Sequence, residues 1–416
     1  MPHVSFASLV VVAAIAVIAP LLVGLFPQIR VPSVVLMIVA GIAVGPHGFG
    51  LVKSIDLPIE ILSLVGLAFL LFLAGLEIDV HRLRGPVLRL AGLGFAVTLA
   101  LGLVAGGVFK AAGTVRSPMF LAIALAATSL GLVVPVLKDA GKANGELGQL
   151  TIAASSVADF GAVILLTLFF SSEGSTGTGA KLVLLGGFVL LVAVAGVVLS
   201  RLDRSMRFGE VLVGLQDTTA EIRVRIAVLL LIGFVALAER LGLETILGAF
   251  IAGALLSLVD RDTSTHPNFR LKLEAIGYGF VVPVFFVASG LRFDLDSLLA
   301  SPSAFARVPL FLLALLLVRG TPALLYRKRI GTRGAVAAGL LQATSLPFIV
   351  TATEIGLLLH LITPVNGAAL ISAGLLSVVI FPLVALGLLR GEEDRDEAVP
   401  STAVPAAADA VAGRPM

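Results

Sequence analysis

The chain has 416 residues, of which 58% are hydrophobic and 13% are charged, and it contains neither Cys nor Trp. Soluble domains carry about a quarter charged residues, so a soluble fold of this length could not cover so much apolar surface. This composition excludes a cytosolic enzyme, a secreted disulfide scaffold and a disordered protein, and it predicts a polytopic membrane protein. A net charge of +3, with Lys and Arg in short loops, argues against nucleic acid as a partner.

Apolar stretches between charged or Pro- and Gly-rich breaks predict the transmembrane helices. A helix that crosses the hydrocarbon core needs about 20 mostly apolar residues, and this rule gives about thirteen spans. The first span is not read as a signal peptide, because residues 1–3 hold no Lys or Arg and the apolar run exceeds an h-region. The predicted spans lie near residues 4–25, 31–49, 58–76, 86–109, 118–137, 147–170, 182–200, 222–238, 243–259, 271–291, 303–326, 334–358 and 366–389.

The distribution of Lys and Arg predicts the orientation. If the N-terminus lies outside, the loops on the inner side hold most of the positive charge, including five Arg within residues 201–225. The positive-inside rule therefore predicts an outer N-terminus and, with an odd number of spans, a cytoplasmic C-terminus in the inner (plasma) membrane. Residues 1–390 are predicted to form the transmembrane domain. Residues 391–416, first acidic and then rich in Ala, Pro and Val, are predicted to be a short disordered cytoplasmic tail.

The sequence contains an internal repeat. FLAGLEID at 72–79 recurs as FVASGLRFD at 286–294, and ATSL at 127–130 recurs at 343–346, with nearly the same offset. The copies lie seven spans apart, so they face opposite ways across the membrane. Inverted repeats are typical of secondary transporters, which bind their substrate near the midplane where the repeats meet.

Polar residues, Gly and Pro stand in the middle of two corresponding spans. They are Thr128, Ser129 and Gly131 in the first span and Thr344, Ser345 and Pro347 in the second. Unwound backbone inside hydrocarbon is tolerated only where it lines a cavity, and matched breaks in two halves indicate a transport site. The alternative is that Ser and Thr bond to their own helix and merely bend it.

Asp159 is the clearest ionisable residue deep inside a predicted span. A carboxylate there costs several kcal/mol, which makes it a functional hypothesis. Ser155 and Ser156 precede it by four and three residues on the same helix face, so all three side chains offer oxygen ligands to a hard cation. The alternative is a neutral carboxyl group that is hydrogen-bonded to those serines.

Two further charges define the predicted core. Arg319 is the only base deep in a span and needs either a carboxylate or helix C-terminal carbonyls as its partner, unless it snorkels toward the cytoplasmic end about two turns away. Glu354 is the candidate carboxylate partner. The His residues fall in loops or at span ends, and GxSxG, a phosphate loop and HExxH are absent. We therefore expect neither enzymatic activity nor a resident metal or cofactor.

Several strings together resemble the monovalent cation:proton antiporter-2 family. They are VPSVVLMIVAGIAVGPHGFG, LLFLAGLEID, ATSLGLVVPVLKDAG followed by GQLTIAASSVADFG, LGAFIAGALL and PVFFVASGLRFD. They occur in the family's order and at similar spacing across nearly all of residues 1–390. The resemblance implies an all-α antiporter fold with a dimerisation domain and a mobile core carrying two crossed, broken helices. Helices within about 58–171 and 271–389 would form that core.

The resemblance also implies roles for individual residues. Asp159 matches the family's ion-binding aspartate, which alternately holds a proton or a monovalent cation. Thr128 and Ser129 match the unwound stretch whose oxygens help to bind the ion, and Arg319 falls where relatives carry Lys or Arg. Electrogenic relatives carry two adjacent acids, whereas Ala158 stands at the first of these positions here.

The residues and the resemblance together predict a secondary active transporter that exchanges Na+ or K+ for H+ by alternating access. A single titrating carboxylate predicts electroneutral exchange. We expect a homodimer surrounded by membrane lipid, with cation and proton as transported ions. One alternative is an ion-coupled symporter of an organic anion, which would need more polar or cationic residues than Arg319 alone supplies. The other is a non-transporting membrane sensor with the same fold.

Overall fold

The computed structural model describes residues 6–25, 32–53, 55–77, 85–139, 141–170, 186–187, 194, 218–259, 268–300 and 302–397. These residues are helical apart from short connections, and the single β-bridge among them joins Val115 to Ile362. Seven of the described helical stretches are long and apolar enough to cross a membrane, and shorter apolar helices accompany them.

The helices are numbered in chain order over the described residues. They are α1 (Ala7–Leu25), α2 (Ser33–Val44), α3 (Leu57–Leu76), α4 (Gly85–Ala111), α5 (Pro118–Ala126), α6 (Leu130–Asp139), α7 (Glu146–Phe170), α8 (Ile222–Arg240), α9 (Thr245–Val259), α10 (Phe269–Ile276), α11 (Val282–Leu291), α12 (Leu295–Leu299), α13 (Pro302–Phe305), α14 (Arg307–Leu315), α15 (Arg327–Gln342), α16 (Pro347–Leu358) and α17 (Pro364–Glu397). A π-helical turn at Gly277–Val281 joins α10 to α11. A second π-helical turn (Leu316–Gly320) and a 3₁₀ segment (Thr321–Tyr326) lead from α14 into α15.

The predicted spans coincide with these helices, except that the span near 182–200 lies almost wholly outside the described residues. The first span is helical from Ala7, and the last continues to Glu397, beyond the predicted end of the membrane domain at residue 390. Residues 398–416 of the predicted tail lie outside the described residues. The predicted all-α membrane architecture is therefore confirmed.

Both predicted helix breaks are present. Residues 127–129 separate α5 from α6, and residues 343–346 separate α15 from α16, with Pro347 as the first residue of α16. Pro fits that position because its missing N–H would have no helical partner there. The prediction that Gly131 lies in the first break is wrong, since α6 already begins at Leu130. A Gly inside a helix lowers its stability without ending it.

Helix packing divides the described helices into two bundles with few contacts between them. The first bundle contains α1–α3 and α8–α11, and the second contains α4–α7 and α14–α17. The core predicted from the family, 58–171 and 271–389, also includes α3, α10 and α11, which pack in the first bundle. The two broken helices both lie in the second bundle.

Two glycines of the sequence repeat make equivalent helix crossings in the first bundle. A Cβ atom added to Gly75 of α3 would lie 2.1 Å from the carbonyl oxygen of Phe250 in α9. A Cβ atom added to Gly290 of α11 would lie 2.2 Å from the carbonyl oxygen of Ile38 in α2. Only Gly permits such close approach of two helix backbones. The repeat is therefore present in the packing as well as in the sequence.

Candidate functional site

The two broken helices cross at their non-helical residues. The Ser129 N–H donates to the carbonyl oxygen of Thr344 at 2.8 Å. The Thr128 hydroxyl donates to the carbonyl oxygen of Gln342 at 2.7 Å. Backbone groups released by each break thus find partners in the other break, as unwound backbone at membrane depth requires.

The carboxylate of Asp159 on α7 lies against the first break. Its Oδ1 accepts a hydrogen bond from the Thr128 N–H at 2.9 Å, and the residue is half-buried. Because α6 begins at Leu130, this carboxylate lies at the N-terminal end of that helix, where free N–H groups stabilise negative charge. At the crossing, the Asp159 carboxylate therefore accepts a hydrogen bond from the backbone and forms no ion pair with a described basic side chain.

Arg319 lies at the same crossing and is 1% exposed. It donates from Nε to the Thr128 hydroxyl at 2.7 Å, from one Nη to Gln342 Oε1 at 3.1 Å, and from the other to the Ala154 carbonyl at 2.9 Å. Its acceptors belong to the first break, to α15 and to α7, so one side chain joins three elements. The snorkelling interpretation is wrong, because the guanidinium group ends inside the protein. Arg319 belongs to a π-helical turn, a feature that occurs frequently at functional sites.

Glu354 is not the partner of Arg319, so that prediction is wrong. Its Oε1 accepts from Arg292 Nη1 at 3.1 Å, and the same nitrogen lies 3.4 Å from the Ser63 hydroxyl. Glu354 is on α16 of the second bundle, whereas Arg292 follows α11 of the first. The ion pair therefore connects the two bundles. The prediction from sequence paired Glu354 with Arg319 and did not consider Arg292.

The hydroxyl groups near Asp159 differ in how they are bonded. Ser156 donates to the Ile152 carbonyl at 2.9 Å, within its own helix. Ser155 Oγ and Ser345 Oγ are buried without a hydrogen-bond partner in the described part of the chain. Neither Ser155 nor Ser156 donates to the Asp159 carboxylate, so the alternative of a serine-bonded neutral carboxyl is not what the structure contains. Their role as ion ligands stays a prediction.

Two residues of the crossing were missed as site residues. Gln342, the last residue of α15, is fully buried and accepts hydrogen bonds through both its side chain and its carbonyl. Ser377 of α17 accepts from the Ser345 N–H at 3.2 Å and donates to the Gly374 carbonyl at 2.7 Å. Gln342 had a signal in the sequence, since it is an amide deep inside an apolar span directly before the repeated ATSL. Ser377 had none.

The site also lies at the boundary between the bundles. The ring of Phe160, the residue after Asp159, has its centroid 5.8 Å from that of Phe250 on α9. Since α9 belongs to the first bundle, Asp159 at the helix crossing is followed directly by a residue that contacts the other bundle. Any relative movement of the bundles would change the surroundings of the Asp159 carboxylate.

Comparisons with known proteins identify the family of the chain. The family model described as sodium/hydrogen exchanger, transmembrane, matches residues 13–389. YjbQ of Bacillus subtilis, described as a candidate Na(+)/H(+) antiporter, is 32% identical over 413 residues, which cover 95% of this chain and 65% of YjbQ. The chain therefore spans slightly less than two thirds of that relative's length. The Na(+)/H(+) antiporter of Enterococcus hirae is 28% identical over 379 residues, covering 85% of this chain and 91% of the relative.

A solved structure confirms the fold. The sodium proton antiporter MjNhaP1 from Methanocaldococcus jannaschii, determined at pH 8, superimposes with a TM-score of 0.60 at 19% sequence identity. The match covers 91% of this chain and 97% of that one. The family model, the relatives and the solved structure all match nearly the whole chain. The chain belongs to the sodium/hydrogen exchanger transmembrane family.

Proposed function

We propose that this protein exchanges a monovalent cation, Na+ or K+, for H+ across the membrane by alternating access. The observation that carries the proposal is the half-buried Asp159 carboxylate at the crossing of two broken helices, where it accepts the Thr128 N–H at 2.9 Å. Family membership and relatives described as Na(+)/H(+) antiporters support it. The printed names include a Na(+)/H(+)-K(+) antiporter, GerN of Bacillus cereus, so both cations remain in the proposal.

Competition for one carboxylate supplies the coupling. A proton and a cation cannot occupy Asp159 together, so binding one requires release of the other. Ser155 Oγ, which is buried and has no hydrogen-bond partner among the described residues, offers an additional oxygen on the same helix. Hard monovalent cations are held by such carboxylate, hydroxyl and carbonyl oxygens. Exchange follows if the site changes sides only when it is occupied.

The division into two bundles supplies the movement. The site lies in the second bundle, and few contacts link this bundle to the first. In transporters built from inverted repeats, one bundle rocks or moves against the other around a fixed site. Movement of the second bundle would carry Asp159 along the boundary marked by Phe160 and Phe250.

One carrier carboxylate makes the exchange electroneutral. Ala158 stands beside Asp159, and Arg319 does not release its proton at any working pH. Glu354, the other acid considered for the core, is engaged by Arg292 at 3.1 Å. One proton in one direction is therefore balanced by one monovalent cation in the other.

We place the protein in the plasma membrane as a homodimer, with its N-terminus outside and its C-terminus in the cytoplasm. The excess of Lys and Arg in the inner loops supports this orientation. An organic-anion symporter is less well supported, because each nitrogen of the Arg319 guanidinium group already donates to a protein oxygen. Ion transport without covalent chemistry also fits the expectation that the chain is not an enzyme.

The test is proton flux in proteoliposomes that contain the purified protein and an internal pH indicator. Added Na+ or K+ should drive proton movement, and Asp159→Asn should abolish it, because the amide can still accept the Thr128 N–H but cannot titrate. Asp296→Asn is the matched control, since Asp296 is exposed on α12 and pairs with His47 at 2.8 Å. Cation-driven flux that survives in Asp159→Asn would refute the assignment. Absence of flux in the parent protein with either cation would favour the sensor.

A further inference from the structure

A long apolar groove opens on the surface of the second bundle between α4 and the α14 segment. Its volume is about 510 Å3, and Leu101, Val104 and Val108 line one side while Leu310, Leu313 and Leu317 line the other. Many of these side chains are exposed, although they lie in predicted transmembrane spans. The surface they form therefore faces the membrane rather than water.

The groove has the length of one lipid leaflet. Its lining extends from Leu101 of α4 to Ala112, the residue after the helix, and their separation of eleven residues corresponds to a rise of about 16 Å. Half of the roughly 30 Å hydrocarbon core is about 15 Å. A single acyl chain lying along α4 would thus fill the groove from the midplane to the interface.

A fixed cation stands at the interfacial end of the groove. Arg307 Nη1 donates to Asn366 Oδ1 at 2.7 Å. Asn366 is 2% exposed, and its Nδ2 donates to the Thr363 hydroxyl and to the Thr114 carbonyl. Because both amide hydrogens are used, the Asn366 oxygen must face Arg307. The guanidinium group is therefore held in place over the groove.

Arg307 has no anionic partner among the residues that the structure describes. No carboxylate of the described residues lies within salt-bridge distance of it. A guanidinium group has five N–H donors, and Asn366 accepts one of them. A cation at the edge of hydrocarbon, with unused donors and no counter-charge, fits a phosphate group.

We propose that this groove binds an anionic phospholipid, with one acyl chain along α4 and the phosphate on Arg307. The occupant would also contact the π-helical turn that carries Arg319. Leu317 and Val318 of that turn line the groove, and Arg319 follows them into the helix crossing. The bound lipid would therefore pack against the π-helical turn on the side facing the groove, and so stabilise the turn that positions Arg319 at the helix crossing.

The absence of Trp permits a direct binding test on the full-length protein. Leu313→Trp places one reporter in the groove, and brominated phosphatidylglycerol or brominated phosphatidylcholine in the bilayer quenches it on contact. We expect an approximately fivefold preference for the anionic lipid, the effect of one Arg near the membrane surface. Arg307→Gln should remove the preference and Arg307→Lys should retain it. Leu229→Trp on α8, exposed in the other bundle, should report no preference.

Each result decides the question without a transport measurement. Equal quenching by both lipids in the parent reporter would overturn the proposal, as would a preference that persists in Arg307→Gln. Loss of the preference in Arg307→Lys as well would assign it to the Asn366 hydrogen bond rather than to charge, which also overturns it. Arg116→Gln is the matched control, because Arg116 is exposed outside this groove and at the same end of α4 and α5. A comparable loss there would mean general surface charge rather than a built site.

Discussion

If the protein works by alternating access as proposed, breaking the ion pair between Arg292 and Glu354 should change the balance between its conformations. The pair joins the residue that follows α11 in the first bundle to α16 in the second, with an N···O distance of 3.1 Å. If the bundles move relative to each other during transport, this contact exists in only one conformation. Glu354→Gln should therefore destabilise that conformation and leave the other unaffected.

The size of the effect follows from the exposure of the two side chains. They are 31% and 27% exposed, which is intermediate between a surface pair and a buried one. Exposed pairs contribute about 0–1 kcal/mol and hydrogen bonds to charged groups about 1.5–3 kcal/mol, so we expect about 1–2 kcal/mol here. A change of that size shifts a two-state population about 5- to 30-fold.

Cysteine accessibility in this Cys-free chain measures the shift. Ser129→Cys places a thiol at the helix crossing, next to the Asp159 site, and a membrane-impermeant thiol reagent applied from each side reports which conformation is populated. Adding Glu354→Gln should change the labelling rates within the 5- to 30-fold range, and the exchanged pair Arg292→Glu with Glu354→Arg should restore them. Glu60→Gln, an exposed acid on α3, is the control. Unchanged labelling from both sides in a folded Glu354→Gln variant would refute the reasoning.

Three further predictions concern stability and stoichiometry. Arg319→Ala removes the hydrogen bonds that join three elements, and it should lower the free energy of unfolding by at least about 1.5–3 kcal/mol, the contribution of one hydrogen bond to a charged group. An unchanged denaturant midpoint in detergent would contradict this. Gly253→Ala would place a Cβ atom against the Phe72 carbonyl oxygen and should lower the free energy of unfolding by about 1–3 kcal/mol. Gly233 faces open space, so Gly233→Ala should not destabilise the protein, and equal melting temperatures of the two variants would argue against this packing. With Asp159 as the one carrier, sodium-driven proton movement in valinomycin-clamped liposomes should reach the same ion gradients at every imposed potential, and a voltage-dependent end point would indicate a second carried proton.

The features predicted correctly from the sequence are those that the bilayer enforces. Apolar length specifies helices because unpaired backbone cannot face lipid. The same rule makes polar residues in mid-span informative, which is why the breaks at Thr128–Ser129 and Thr344–Ser345 were predicted at the right places. Asp159 was recognisable because a carboxylate at that depth is costly and therefore rarely accidental.

The features that were missed depend on which helices become neighbours. Nothing near Glu354 in the sequence indicates Arg292, 62 residues away, because their contact arises from two bundles meeting in space. The acceptors of Arg319 were equally hidden, since a backbone carbonyl such as that of Ala154 has no sequence signal. The core implied by the family resemblance spans helices of both bundles, because a resemblance in sequence does not specify the bundle in which each helix packs.

The hydrogen bonds around Thr128 hold the helix crossing together without using the Asp159 side chain as a partner of Arg319. Arg319 is held by a hydroxyl, an amide oxygen and a carbonyl, all of which are neutral, rather than by the Asp159 carboxylate. Protonating Asp159 or placing a cation on it therefore leaves the partners of the arginine unchanged. Had Asp159 been the salt-bridge partner of Arg319, each turnover would have broken a buried ion pair, which typically costs about 3–5 kcal/mol. Because neutral oxygens satisfy Arg319, the proposed exchange of proton and cation on Asp159 would leave the crossing of the two broken helices assembled.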